Sequence, residues 1–328
     1  MKYPNLSVVV KGFLLHVDAS GRSSNTHRIY EHELIRFQSV INDVPIDQVT
    51  NGHFEKYMAY LSTNFFITRQ GKTPIPPRKL SQKSLSTARA ILAVFAKWYS
   101  TEFELTCPFA LQSIKHDTMP IEPFSKEEIQ RLLDGTRETI VISGPTSERK
   151  NYKMQRHTYK RDRAIITVLL DTGISVSELC DAKISDFDPK NGRLIITGKG
   201  KKSRIIYMGN TSRQALWNYL VQCYPKDKPR PDDPLFLTND NLFPMTRNGV
   251  LLLLKRLGEK AEVNHVYPNR FRHTFAIEFL RNGGNIYALQ QVLGHSSLDM
   301  VRRYLKYFQT DMDNLTRRTS PADNWGIR

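Results

Sequence analysis

The feature that most limits what this chain can become is a break after its first third. Ser113 to Pro123 is polar, carries Pro120 and Pro123, and runs into Ser125-Lys126-Glu127-Glu128. Proline lacks an amide hydrogen and disfavours helix in the residue before it, so no helix continues through this stretch. Ser125 and Glu128 have the spacing of a reciprocal capping box, which predicts a new helix opening at Ser125. The break predicts two domains, residues 1–118 and 119–328. At 328 residues with 40% hydrophobic content, the chain can fill a core in each.

Both parts read as mainly helical. Tyr30, Leu34, Phe37 and Ile41 recur at helical spacing, as do Ile91, Leu92, Phe95, Trp98 and Tyr99. Between them Thr68 to Lys79 is rich in proline and basic residues and is expected as a loop. Lys72, Arg78, Lys79 and Lys83 bring positive charge there. A solvated loop and a strap that grips phosphates both fit. In the second part, Ile165, Ile166, Val168, Leu169 and Leu170 predict a buried helix. The one clear β signal is a hairpin, Arg193–Thr197 and Ser203–Met208 around Gly198-Lys199-Gly200-Lys201-Lys202. Gly283-Gly284 and Gly294 are helix stops. The expected fold is mainly α with a small antiparallel sheet.

Charge narrows the partner. Lys and Arg number 48 against 32 Asp and Glu, a net charge of +16. Such a field favours a polyanion, either nucleic acid or an anionic membrane surface, and composition does not separate the two. No run approaches the roughly 20 apolar residues of a membrane span. Val8 to Val17 is interrupted by Lys11 and His16 and makes a poor signal peptide. Cys107, Cys180 and Cys223 are widely spaced without metal-like pairing, which fits reduced thiols in the cytoplasm. Between Thr146 and Arg163 the chain carries Arg149, Lys150, Lys153, Arg156, Lys160, Arg161 and Arg163 against Glu148 and Asp162. That run is a solvated face or a contact for a DNA backbone.

Three segments in fixed order carry the chemistry. They are Asp171-Thr-Gly-Ile-Ser-Val-Ser-Glu-Leu179, the Gly198-Lys-Gly hairpin, and Pro268-Asn-Arg-Phe-Arg-His-Thr-Phe275 followed by Leu293-Gly-His-Ser-Ser297 and Tyr304. Together they resemble the catalytic domain of the tyrosine recombinases, or phage integrases. His295 stands nine residues before Tyr304, a spacing that belongs to the resemblance. The helical first part resembles that family's SAM-like core-binding domain, and the likeness covers nearly the whole chain. It implies a two-domain C-shaped clamp on double-stranded DNA, a homotetramer on DNA with exchange of C-terminal tails, and neither metal nor cofactor.

The resemblance also implies roles. Tyr304 attacks phosphorus and forms a 3′-phosphotyrosine, which stores the bond energy until the strands are resealed. Arg272 is the second of two clamp arginines, suited to the task because a guanidinium forks onto two phosphate oxygens. His295 matches the position that hydrogen-bonds a phosphate oxygen. Lys199, at the hairpin tip and 24 residues after Ser175, matches the lysine that protonates the leaving 5′ oxygen. Lys201, Lys202 and Arg204 crowd the same tip, where like charges would lower a lysine pKa and widen the choice among them.

Two positions depart from the pattern. Ser175 stands where the family has its first clamp arginine, and Asn269 where it has a histidine. Serine is a neutral donor and cannot neutralise an anionic phosphorane. Loss of one such stabiliser costs on the order of 10²–10³ in rate. Arg270, Arg204 and Lys183 are the candidate substitutes. Three readings stand: an active recombinase charged from elsewhere, a conditional one, or an inactive homologue that binds DNA as a sequence-specific or architectural protein. A type IB topoisomerase shares the chemistry but lacks a match to the Thr-Gly-x-x-x-Ser-Glu-Leu segment.

Overall fold

In the computed structural model, the described residues are 3–69, 75–114, 122–137, 139–142, 152–155, 158–198, 202–225, 229–238, 243–308 and 320–326. They fall into two compact units, Met1–Met119 and Pro120–Arg328.

The first unit is built on four helices: α1 (Leu6–Ala19), α2 (Ser24–Ile41), α3 (Asn51–Thr63) and α4 (Gln82–Glu102). Ser23 and Ser81 start α2 and α4 by accepting backbone N–H bonds at their side chains. The apolar positions picked out by spacing face one core. Phe37 stacks on Phe54, and Phe13 meets Phe95 and Trp98. The apolar run near the N-terminus is core as well: Leu6, Val9, Val10, Phe13, Leu14 and Val17 are all buried on α1.

The stretch expected as a loop is instead a two-stranded antiparallel ribbon, β1 (Phe66–Arg69) and β2 (Ile75–Lys79). Pro76 and Pro77 fall where the register shifts, between the Ile67–Arg78 and Arg69–Ile75 pairs, a break at which a strand tolerates proline. A second ribbon, β3 (Thr139–Ile142) with β4 (Tyr152–Gln155), also lay outside the sequence reading.

In the second unit, α5 (Lys126–Thr136) opens on the Ser125/Glu128 capping box. Helix α6 (Tyr159–Thr172) runs through the core, packed against α8 (Asn210–Gln222) and α10 (Pro268–Arg281). The hairpin strands β6 (Arg193–Thr197) and β7 (Ser203–Tyr207) form a three-stranded antiparallel sheet with β5 (Phe187–Asp188). Short α7 (Val176–Asp181) and α9 (Arg247–Ala261) complete the main core. A smaller core joins α10 to α11 (Ile286–Leu293) and α12 (Asp299–Phe308) through Ala276, Ile277, Leu289, Leu293, Val301 and Tyr304. Among the described residues no helix is long and apolar enough to cross a membrane.

Candidate active site

Three helices of the second unit converge. Pro268 at the first position of α10 pre-sets the helical φ, and the apolar stripe Phe271, Ile277 and Leu280 seats α10. This leaves Arg272 and His273 half-buried beside the smaller core. Helix α11 ends at Leu293 because Gly294 has φ +68°, a left-handed conformation that strains any residue with a Cβ. His295 follows at once. Tyr304 projects from α12 and is 2% exposed.

The polar contacts lock these pieces together. Arg272 donates from Nη1 to the Gly173 carbonyl at 2.8 Å and from Nη2 to the Leu293 carbonyl at 2.7 Å. It thereby ties the end of α6 to the end of α11. Glu178 on α7 sits between two guanidiniums. Its Oε1 accepts from Arg204 Nη1 at 2.6 Å, and its Oε2 lies 4.0 Å from Arg272 Nη1. Nδ1 of His273 lies 2.9 Å from the Tyr304 hydroxyl.

Electrostatics follow from this burial among cations. Desolvation, reinforced by Arg303 and Arg272, pushes the His273 imidazole down to about 4. Desolvation with Arg272, Arg303 and Arg204 does the same to His295, also to about 4. Both rings are therefore neutral at physiological pH. Burial raises the Tyr304 phenol above its ordinary value, opposed by Arg303 and Arg272. Burial works against the Glu178 charge, yet the bonds from Arg204 and Ser175 hold its carboxyl below the usual range. A buried phenol facing a neutral imidazole, beside an arginine, can lose its proton as it attacks. Among the described residues no group of three or more His, Cys, Asp or Glu could hold a metal ion.

Comparison with known proteins decides the family. The phage integrase family profile matches residues 125–310. Tyrosine recombinase XerC of Bacillus pumilus (strain SAFR-032) is 30% identical over 277 residues, covering 83% of this chain and 81% of the relative. The chain belongs to the tyrosine recombinase family. The XerC of Bacillus subtilis (strain 168) is 31% identical over 251 residues, 75% of this chain and 76% of its own. Among solved structures, the Tn1549 transposon integrase in complex with transposon right end DNA shares the fold. Its TM-score is 0.69 at 19% identity, with 96% of this chain and 100% of that one covered. The family is one of tyrosine-type site-specific recombinases, so the chain is an enzyme of that class.

Within this recombinase, Arg272 lies on the second turn of α10, His295 just past the end of α11 and Tyr304 midway along α12, three elements that pack together. Lys199 lies outside the described residues, as do Lys72, Arg156 and Lys201. The Ser175 side chain is engaged locally, because its Oγ accepts the Glu178 backbone N–H as N-cap of α7. Asn269 is exposed on the first turn of α10, and the described contact to the Tyr304 hydroxyl comes from His273. His273, which sequence reasoning passed over, is the residue that meets Tyr304. Its signal was adjacency to Arg272, which does not reveal a partner 31 positions away.

Several cations expected at a DNA surface are elsewhere. Arg161 is 2% exposed, pairs with Asp162 at 2.6 Å and donates to the Leu237 carbonyl. Arg270 is tied to Glu128 at 2.8 Å and to the carbonyls of Glu122, Pro123 and Asn264, with Phe124 under its guanidinium. Both are structural cations, since a buried charge must be matched at every donor. Their described partners all lie within the second unit. Lys183 is on the surface, where it pairs with Asp232. Arg204 turns inward from the hairpin. Strand alternation puts it on the same side as buried Ile206, and its side chain is 15% exposed. Lys160 is hydrogen-bonded to Gln222 and lies against the Tyr159 ring. Arg78, Lys79, Lys83 and Lys202 are exposed.

Proposed function

We propose that this recombinase cuts and rejoins DNA at specific sites through a 3′-phosphotyrosine on Tyr304. What carries the reading is the 2.9 Å contact between Tyr304 and His273, on the same helix as Arg272 and near enough to His295 to feel any charge on it. In the cleavage step the Tyr304 oxygen bonds to phosphorus, and the bond from phosphorus to the 5′ oxygen breaks. With His273 in the tautomer that protonates Nε2, its Nδ1 accepts the phenolic proton. Arg272 and His295 hold non-bridging oxygens, where charge builds in the transition state. Lys199 gives the departing 5′ oxygen its proton. Attack by a 5′ hydroxyl of another strand reverses each transfer and reseals the backbone, with no net energy input.

The first unit grips the duplex through Arg78, Lys79 and Lys83, exposed on β2 and the start of α4, and Lys202 adds a contact from the second unit. The protein works in the cytoplasm as a tetramer on its DNA. Each tail seats exposed Trp325 in a neighbouring copy's groove, the apolar one lined by Phe124, Leu133, Leu170, Phe275 and Phe279.

The test begins by selecting bound sequences from a randomised duplex library. These are then rebuilt with a nick beside each scissile position, so that a cleaved strand cannot be resealed. A covalent protein–DNA band that disappears in Tyr304→Phe is the expected result. Binding without a band would leave a DNA-binding homologue, and supercoil relaxation without exchange would favour a topoisomerase.

A further inference from the structure

Ser175 leaves the site short of one positive charge, and its hydroxyl is spent on capping α7. The same carboxylate that completes that cap, Glu178, is where Arg204 arrives from β7. Arg204 and Arg272 are used in parallel. Arg204 Nε donates to the Val292 carbonyl at 2.7 Å, and Arg272 Nη2 donates to the next carbonyl, Leu293, at 2.7 Å. Two guanidiniums thus share one carboxylate and hold consecutive carbonyls at the end of α11, so one full positive charge remains unmatched. The Arg204 guanidinium also lies against Gly294, where an added Cβ would come within 2.9 Å of Nη1. It is therefore next to the residue that delivers His295.

Two atoms here lack partners. Arg204 Nη2 and His295 Nδ1 are both buried with no hydrogen-bond partner among the described residues. A buried donor on a charged group is costly to leave unmade, and such orphans mark places where a ligand supplies the acceptor. An acceptor serving an arginine donor beside a second arginine and a neutral imidazole is an anionic oxygen. In a site that transfers a phosphodiester, that oxygen belongs to the phosphate.

We propose that Arg204 is the second clamp cation of this recombinase, donating from Nη2 to a non-bridging oxygen of the scissile phosphate and supplying the charge that Ser175 cannot. The assignment rests on the strand-cleavage reading above. Arg270 is buried on partners of its own and Lys183 is exposed beside Asp232, whereas Arg204 combines an unpartnered donor with a place in the site. Arg204 forms no covalent bond, and its work is to hold charge on the phosphorane.

The experiment uses the full chain and nicked duplexes built from sequences selected for binding to the wild type. The scissile linkage is made either as phosphate or as methylphosphonate, which removes the negative charge that a clamp arginine would neutralise. On phosphate, Arg204→Ala should slow adduct formation by on the order of 10²–10³. On methylphosphonate the same substitution should cost no more than about tenfold. Equal losses on the two linkages would make Arg204 a merely structural support and overturn the proposal. If Arg204→Ala does not fold, Arg204→Gln decides by the same comparison of linkages, because it keeps much of the side chain and a hydrogen-bond donor but removes the charge. A wild type that forms no adduct on either linkage overturns the cleavage reading and this assignment together. A wild-type adduct with linkage-independent losses overturns the Arg204 role alone.

Discussion

Nδ1 of His273 and the hydroxyl of Tyr304 stand 2.9 Å apart, the imidazole neutral and the phenol buried. The pair places an acceptor on the nucleophile, whereas the amide of Asn269 cannot take a proton. Removing the imidazole with His273→Ala should slow adduct formation by about 10²–10⁴. The remaining rate should climb with pH as hydroxide takes over, and added imidazole should restore part of it. A single-turnover time course at several pH values measures all three, and a variant with wild-type rate would remove His273 from the mechanism.

Both site histidines titrate near 4 in the folded chain, below the ordinary value, because burial and neighbouring arginines disfavour the charged ring. The unfolded chain therefore binds protons that the fold refuses. The contribution to stability is complete above about pH 6.5, the unfolded value, and is lost as pH falls towards 4. Urea midpoints should drop across that window. The double variant His273→Asn, His295→Gln should show a flatter dependence, and an unchanged slope would mean the rings are not shielded. By the same sign, cleavage should hold level from pH 8 down to about 5, rather than fall near 6.5.

What the sequence revealed was whatever local chemistry writes into it. The hairpin around Lys199 was legible because apolar alternation flanks a Gly/Lys turn, and Ser125 and Gly294 were legible because caps and stops act within one turn. The site's long-range pairings were not. Nothing near Arg270 announces Glu128, which lies 142 positions earlier, so its charge reads as surface. Arg204 reads as one of a basic cluster and as one of three candidate substitutes, because its pairing with Glu178, 26 positions earlier, has no local signature. The Pro76-Pro77 ribbon reads as a loop because proline argues against a strand, and only the break in register there relaxes that rule. The contact of His273 with Tyr304 depends on how α10 meets α12, which no local pattern encodes.

Arg270 provides a test of burial against charge. Arg270→Met removes one partner of a buried, hydrogen-bonded pair and leaves Glu128 and three backbone carbonyls without it. Such losses cost roughly 3–5 kcal/mol. Denaturant titration should register this, while the salt dependence of DNA binding stays as in the wild type. A changed salt slope with unchanged stability would return Arg270 to the DNA surface.

The exposed cations should behave in the opposite way. Each phosphate contact contributes about 0.9 to the slope of log K against log salt. Lys83→Ala and Arg78→Ala should each flatten that slope by about this amount and leave folding within about 0.5 kcal/mol of the wild type. Fluorescence anisotropy with a selected duplex at four salt concentrations is sufficient. A slope insensitive to both substitutions would move the contact away from β2 and α4.

Gly173 joins fold and site in one residue. It ends α6 at φ +60°, and its carbonyl accepts the Arg272 bond at 2.8 Å. A Cβ there would lie 2.4 Å from Phe275 Cδ1, well inside contact distance. Gly21 has a similar φ of +66° with nothing within 4 Å of its Cβ position, so it isolates the backbone contribution. Gly21→Ala should cost about 1–2 kcal/mol through the left-handed conformation alone. Gly173→Ala adds the collision and should cost about 2–5 kcal/mol in all. The chain relieves that collision by moving Phe275 on α10 or the turn that carries the Gly173 carbonyl, and either movement disturbs Arg272. Adduct formation by Gly173→Ala should therefore fall even at a temperature where the variant is fully folded, whereas Gly21→Ala cleaves normally. If the folded Gly173→Ala protein cleaves at the wild-type rate, the Arg272–Gly173 bond has no part in positioning the clamp.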